Sequence, residues 1–187
     1  MPAIVCLLRG VNLGGHNLIK MDDLRALCAS LKCRNPQTYV QSGNVVFESG
    51  EKNQVTLSRK IAAAIERKCG FRPSVILRTA AELRGVVQRN PFAGRSGIEP
   101  GKLLVTFLAE KPARAAAAAL KKRAISPEEL HLIGSEIYVY FPNGAGRSRL
   151  NWSSLDKTLQ TTGTARNWNT VTKLLAMAEA IESMSSH

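Results

Sequence analysis

Arg9-Gly10-Val11-Asn12-Leu13-Gly14-Gly15-His16-Asn17 brings a guanidinium, two amides, an imidazole and three glycines into one short run. The run follows Ala3-Ile4-Val5-Cys6-Leu7-Leu8, which reads as a buried strand, and precedes a helical pattern. Strand, glycine loop and helix form an order that aims backbone N–H groups and a helix N-terminus at a bound anion. Two more polar clusters offer related chemistry. Gln41-Ser42-Gly43-Asn44 sets two amides and a hydroxyl at a tight turn, able to ligate a polar substrate edge. Ser, Gly and Asn are equally favoured there by turn chemistry alone. Arg166-Asn167-Trp168-Asn169-Thr170 opens the last helical run with a cation and several donors, while Asn167 and Thr170 serve equally as caps and Trp168 as core. Gly144-Ala145-Gly146-Arg147-Ser148-Arg149 is a further glycine loop entering a helix. Three Arg-bearing helix starts in a basic chain favour anion binding. The candidate binding residues are therefore Arg9, Asn12, Gly14, Gln41, Ser42, Asn44, Arg166, Asn167 and Asn169.

Known catalytic patterns are mostly missing. Gly10 to Gly15 has the gap of a nucleotide-phosphate loop, but His16 and Asn17 stand where that chemistry needs Lys and Ser or Thr. Nucleotide hydrolysis thus leaves the front rank. No nucleophile elbow is present, and no pair of acids accompanies a histidine. His131 falls in a hairpin and His187 in the tail, so His16 is the one histidine in a candidate site. Cys6, Cys28, Cys33 and Cys69 lack metal-ligand or redox spacing and read as small buried hydrophobes in a reducing compartment. Neither a metal nor a cofactor is expected.

The chain of 187 residues has a formal net charge of +12, and fifteen Lys/Arg face four Asp/Glu between Arg59 and Arg123. Such a concentration attracts polyanions, nucleic acid or anionic headgroups among them. Solvated helix faces on a merely basic protein explain it as well. No apolar stretch reaches the roughly 20 residues that span a bilayer, and Met1-Pro2 runs straight into strand-like sequence without a basic leader. The expectation is a cytoplasmic protein with no membrane partner.

These residues need elements to position them. Leu24, Leu27, Cys28 and Leu31 repeat at helical spacing. Thr38–Gln41 and Asn44–Phe47 read as a hairpin, and a second helix runs from about Gln54 to Lys68 before Gly70. Ser74–Arg78 is a strand, and Thr79 with Glu82 forms a capping box for a third helix. Beyond a Gly- and Pro-rich stretch come the strand Lys102–Leu108, an alanine-rich helix reaching about Arg123, and a capped turn at Ser126–Glu129. A hairpin of Leu130–Ile133 and Glu136–Phe141, a helix from Arg147 to about Gln160 and a last helix from near Asn167 complete the chain. Residues 3–69 and 102–160 share the order strand, helix, hairpin, helix. This predicts an α+β fold of two ferredoxin-like lobes, repeated βαββα units with mainly antiparallel sheets covered by helices. The lobes are placed at residues 1–90 and 102–187, joined by a linker at 91–101.

Leu7-Leu8-Arg9-Gly10-Val11-Asn12-Leu13-Gly14-Gly15, Thr38 to Phe47 (T-Y-V-Q-S-G-N-V-V-F) and Ala165 to Val171 (A-R-N-W-N-T-V) together resemble the hallmark segments of the bacterial domain-of-unknown-function family 1697. The match runs in order along nearly the whole chain. The resemblance implies a cytoplasmic, two-lobed α+β protein and supplies no activity. The positions it carries over are Arg9, Gly10, Asn12, Gly14, Gln41, Ser42, Gly43, Asn44, Arg166, Asn167 and Trp168, as motif members rather than catalysts.

The leading functional expectation is a module that binds an anionic ligand, nucleic acid or a phosphorylated molecule, through basic glycine-containing loops. The first alternative is an enzyme acting on a small phosphorylated or carboxylated metabolite in a cleft between the lobes. The second is a scaffold or oligomerising domain. Oligomeric state is not encoded in any feature of the sequence.

Overall fold

The computed structural model describes residues 1–121, 127–148 and 152–185. Its first run of elements is β1 (Ala3–Leu8), α1 (Met21–Ser30), β2 (Arg34–Thr38), β3 (Asn44–Glu48), α2 (Gln54–Cys69), β4 (Val75–Thr79) and α3 (Ala80–Gln88). The second is β5 (Leu103–Leu108), α4 (Arg114–Lys121), β6 (Glu129–Ile133), β7 (Glu136–Tyr140), α5 (Trp152–Leu159), β8 (Gly163–Asn167) and α6 (Trp168–Ser185). Each run builds a four-stranded antiparallel sheet, in the orders β2-β3-β1-β4 and β6-β7-β5-β8. The protein is α+β, and both sheets are consistent with ferredoxin-like units.

The repeat extends to individual hydrogen bonds. Leu7 stands opposite Asn44 and Ile76, as Phe107 stands opposite Glu136 and Thr164. Just past these pairs, the Leu8 N–H donates to Gly43 O at 2.8 Å and the Leu108 N–H to Ser135 O at 2.9 Å. Arg9 N–H to Ser74 O (3.0 Å) corresponds in turn to Ala109 N–H to Thr162 O (2.9 Å). Val5 faces Arg78 and Val105 faces Arg166, so an arginine occupies the same edge-strand position in each sheet.

The chain divides into Met1–Gly85 with the stretch from Lys173 onward, and Val86–Thr172. In the first unit, Ile4, Cys6, Leu8, Val45, Phe47 and Leu77 from one face of the sheet meet Leu24, Leu27 and Cys28 of α1 and Leu57, Ile61 and Ile65 of α2. Each such side chain, taken out of water, contributes on the order of 1.5–3 kcal/mol. Asn53 caps α2 by accepting from the Thr56 N–H, and Gly70 closes it at φ 79°. The Thr79–Glu82 capping box forms as the spacing predicts: Thr79 N–H donates to Glu82 at 2.7 Å, and Glu82 N–H to Thr79 Oγ1 at 3.1 Å. From Lys173 on, α6 adds to this unit, with Glu179 paired to Arg84 at 2.9 Å and Glu182 accepting from the Ala3 N–H.

In the second unit, Leu108, Ile137, Val139 and Phe141 pack with Leu120 of α4 and with Leu155 and Leu159 of α5. Residues 90–97 lie against its sheet. Tyr140 Oη donates to Gly97 O at 3.1 Å, Arg95 grips Glu129 with two bonds of 2.7 and 2.9 Å, and Phe92 meets the His131 ring at 5.2 Å.

The structure revises several expected elements. Gly163–Asn167 is a strand, β8, and α6 begins only at Trp168, so Arg166 belongs to a sheet edge and not to a helix start. β2 covers Arg34–Thr38 rather than Thr38–Gln41, because Val40 takes the left-handed φ of 49° and breaks the extended run. Ala145–Arg147 is a single 3-10 turn, and α5 starts at Trp152. The expected helix end at Arg123, the cap at Ser126, and Arg149 and His187 lie outside the described residues.

All four cysteines lie in the first unit, three buried and Cys69 half-buried. Lys32 at φ 63° and the Cys33 N–H to Cys28 O bond of 3.1 Å end α1 in a Schellman turn, which sets Cys33 against Cys28. Burial pushes the Cys28 thiol up to about 12 and the Cys33 thiol up to about 11. Since the thiolate is the reactive form, these groups are inert near neutral pH. Ellman's reagent is expected to label Cys69 promptly in the native protein and the other three only after denaturation. Prompt labelling of Cys28 or Cys33 would contradict this packing.

Candidate functional site

Two of the three predicted segments meet at one end of the first sheet. The glycine-rich run is a miniature hairpin: Leu13 and His16 form an antiparallel bridge, and the Asn12 N–H donates to Asn17 O at 3.1 Å. Gly14 and Gly15 take φ 55° and 80° at its tip, with the His16 N–H closing on Leu13 O at 2.9 Å. Two positive φ values in succession are what a primed two-residue turn demands. The glycines therefore turn the chain outward and do not wrap a phosphate in the manner of a nucleotide loop.

Asn12 is the hub of this end. At φ 54°, it donates from Nδ2 to Ile19 O (3.0 Å) and to Gln41 O (2.8 Å), and its Oδ1 accepts from the Ile19 N–H (2.9 Å). Both amide hydrogens are thereby used. Asn44, fully buried, donates to Tyr39 O at 3.1 Å and Ser42 Oγ at 2.8 Å. Asn17 donates to Gly10 O at 2.9 Å. Gly43 lies so close to Leu8 and Val11 that an added Cβ would sit 2.4 Å from Val11 Cγ2. The asparagines of the two motifs thus brace the loops. The exposed polar groups are those of Gln41, Ser42, His16, Asn17 and the backbone of Gly14 and Gly15, with Arg9 half-buried beside them in sequence.

Sequence reasoning missed the apolar part of the same surface. Leu13 and Leu18 are each 64 % exposed and Val40 is 52 % exposed. The Gly-Gly dipeptide signals a hairpin, and an aliphatic residue beside such a tip is the signal that was available. Val40 also holds φ 49°, a conformation that costs a β-branched residue roughly 1–3 kcal/mol. Val40→Gly removes this strain and adds unfolded-chain entropy, leaving an expected net gain of about 1 kcal/mol. Urea denaturation should show a raised midpoint, and an unchanged or lowered one would mean the loop holds no such strain.

The third segment belongs to the second unit. Arg166 is 8 % exposed, and its Nη1 donates to Thr164 Oγ1 at 2.7 Å and Ala165 O at 2.9 Å. Asn167 Oδ1 caps α6 by accepting from the Thr170 N–H at 2.9 Å, and Asn169 is exposed. In repeat terms this strand end corresponds to Arg78-Thr79, which likewise leads into a capped helix. Arg9 and Gln41 decorate the other end of the repeated sheet, where the second unit has only short connections.

The basic middle of the chain is partly offset in space. Lys60, Lys68, Arg72, Arg84, Arg89, Arg95 and Lys102 pair with Glu51, Asp23, Glu66, Glu179, Glu136, Glu129 and Glu99 at 2.6 to 3.7 Å. Five of these carboxylates come from outside the segment Arg59–Arg123. The Arg95 contact holds Glu129 below the ordinary carboxylate range. Apart from Arg89–Glu136, whose carboxylate is buried, these pairs are exposed and add little stability, but they cancel charge locally.

A groove of about 270 Å³ between α1 and α2 is lined by Ala26, Leu27, Ser30, Ala64, Arg67 and Lys68, none of them from the two loops. Among the described residues no group of three or more His, Cys, Asp or Glu is placed to hold a metal ion. No described helix is long and apolar enough to cross a membrane.

A family model described as a protein of unknown function, DUF1697, matches residues 1–138. No curated protein matches the chain. The solved structure of a conserved bacterial protein from Streptococcus pneumoniae is similar to it, with a TM-score of 0.71 at 21% identity, covering 95% of this chain and 98% of that one. At this identity the likeness concerns the fold.

Proposed function

We propose that this chain, which belongs to the DUF1697 family of proteins of unknown function, is a binding module that holds a phosphate-bearing anion on loops 9–19 and 39–43. The observation that carries this reading is the Asn12 amide, bonded at once to Ile19 and Gln41. It holds two exposed polar loops in one arrangement, so ligand-facing groups are ordered before a ligand arrives. Loops 9–19 and 39–43 themselves contain no carboxylate. Residues 1–47 contain only Asp22 and Asp23, and these pair with Arg25 and Lys68. Lys20 stands exposed at the end of the loop, and a net charge of +12 adds long-range attraction. Arg166, Asn167 and Asn169 are not needed by this reading.

Tyr39 is the one aromatic residue in the two loops, and it is half-buried, so base stacking contributes little and the phosphate dominates. The test is an anisotropy titration of labelled single- and double-stranded oligonucleotides at low and near-physiological salt, with inorganic pyrophosphate as competitor. Binding is expected at low salt, weaker by at least about tenfold at the higher salt, and reduced by pyrophosphate and by Lys20→Glu. Absence of binding to every oligonucleotide and to pyrophosphate at low salt would overturn the reading.

A further inference from the structure

Leu13, Leu18 and Val40 share a relationship that exposure alone does not express. Each is the immediate chain neighbour of one of the three residues joined at the Asn12 amide: Asn12 itself, Ile19 and Gln41. Three aliphatic residues, exposed by 64, 64 and 52 %, are therefore each one residue along the chain from a single hydrogen-bonded hub. The hub is rigid, since the Leu13–His16 bridge, the Asn17 to Gly10 bond and the Gly43 to Leu8 bond fix the loops from which they project. Exposed aliphatic side chains on braced, carboxylate-free loops of a chain with net charge +12 complement a surface that is both apolar and anionic.

We propose that this end of the first sheet docks on an anionic phospholipid surface, with Leu13, Leu18 and Val40 entering the headgroup layer while Lys20 and the loop amides meet the phosphates. The inference rests on the phosphate-binding reading above and names the phosphate's source. It departs from the expectation of no membrane partner, which followed from the lack of a spanning segment. A peripheral contact needs no such segment, because aliphatic burial in the interface and attraction to anionic lipid act together. A second copy of the chain fits less well, since two faces of the same charge would meet.

Full-length protein is mixed with vesicles of phosphatidylglycerol and phosphatidylcholine in equal parts, or of phosphatidylcholine alone, and vesicle-bound protein is recovered by flotation at low salt. Protein is expected on the mixed vesicles and absent from phosphatidylcholine. The double variant Leu13→Ser with Leu18→Ser should partition at least about tenfold less, while its oligonucleotide affinity stays within about twofold of the parent. Both positions are exposed, so a thermal melt matching the parent verifies folding. Equal partitioning of parent and double variant overturns the inference. Oligonucleotide binding without vesicle binding also overturns it and leaves the phosphate-binding reading standing; loss of binding to both removes the two together.

Discussion

Gly43→Ala is expected to destabilise the protein by about 2–4 kcal/mol, lowering its melting temperature by about 10 °C. The new Cβ would lie 2.4 Å from Val11 Cγ2 and 2.8 Å from Leu8 Cβ, both buried and neither at the end of a flexible side chain. Gly43 also holds φ 73°, which an L side chain resists. Its carbonyl receives the Leu8 N–H at 2.8 Å, so relief by moving the backbone would stretch the first bond linking the two loops. Gly14→Ala is the control. Its φ is 55°, but nothing lies within 4 Å of the added Cβ, and the expected cost is about 1 kcal/mol. A thermal melt in which the two variants lose equal stability would show that φ alone matters and that the Gly43 contact does not.

Asn12→Asp is expected to cost about 2–4 kcal/mol and to free the two loops from each other. The substitution keeps shape and removes both Nδ2 donors. A carboxylate oxygen would then face the carbonyls of Ile19 and Gln41, now 3.0 and 2.8 Å from Nδ2. Repulsion therefore replaces attraction at two contacts, whereas Asn12→Gly only deletes them and suits φ 54°. The order of stability should be parent, then Asn12→Gly, then Asn12→Asp. Hydrogen exchange at the Ile19 amide, which bonds to Asn12 Oδ1 at 2.9 Å, reads the local effect. Fast exchange in Asn12→Asp with native-like protection in the strands marks loop release; unchanged Ile19 protection would contradict the hub.

Both variants strike residues that the sequence singles out for ligand chemistry, and the reason is physical. Asn, Gly and Ser suit ligand contact and tight turns for the same reason: short side chains with donors, or none at all. Sequence alone cannot tell whether Asn12 spends its amide on the chain or on a ligand. What was legible follows from local rules. The Thr79–Glu82 box, the Gly70 terminus and the periodic faces of α1 and α2 depend on residues within a turn or two of each other. β8 was not legible. Gly-Thr-Ala-Arg-Asn has no alternation of apolar and polar residues and one β-branched residue, Thr164, and it becomes a strand because β5 offers Val105 and Phe107 as partners for Arg166 and Thr164.

Charge was misleading in the same way. Fifteen cations between Arg59 and Arg123 suggest a basic stripe, yet Asp23, Glu51, Glu129, Glu136 and Glu179 reach five of them from elsewhere in the chain. Ion pairing is settled by the fold and not by sequence distance. The two repeats sharpen the point about location. Their sheets share strand order and the register of the two central pairings, while only the first carries a bulge in β2–β3, the long β1–α1 hairpin and the extended β2–β3 turn. The β1–α1 connection spans residues 9–20, twelve residues, against five at 109–113 in the second copy, and this marks that end as the place of difference.

The most direct test of that assignment is amide chemical-shift mapping of the full-length, nitrogen-15-labelled protein during titration with inorganic pyrophosphate. The binding-module account predicts the largest shifts at Gly14, Gly15, His16, Gln41 and Ser42, with the helix amides of α2 and α4 unmoved. Shifts concentrated on α2 or α4, or none anywhere, would contradict it.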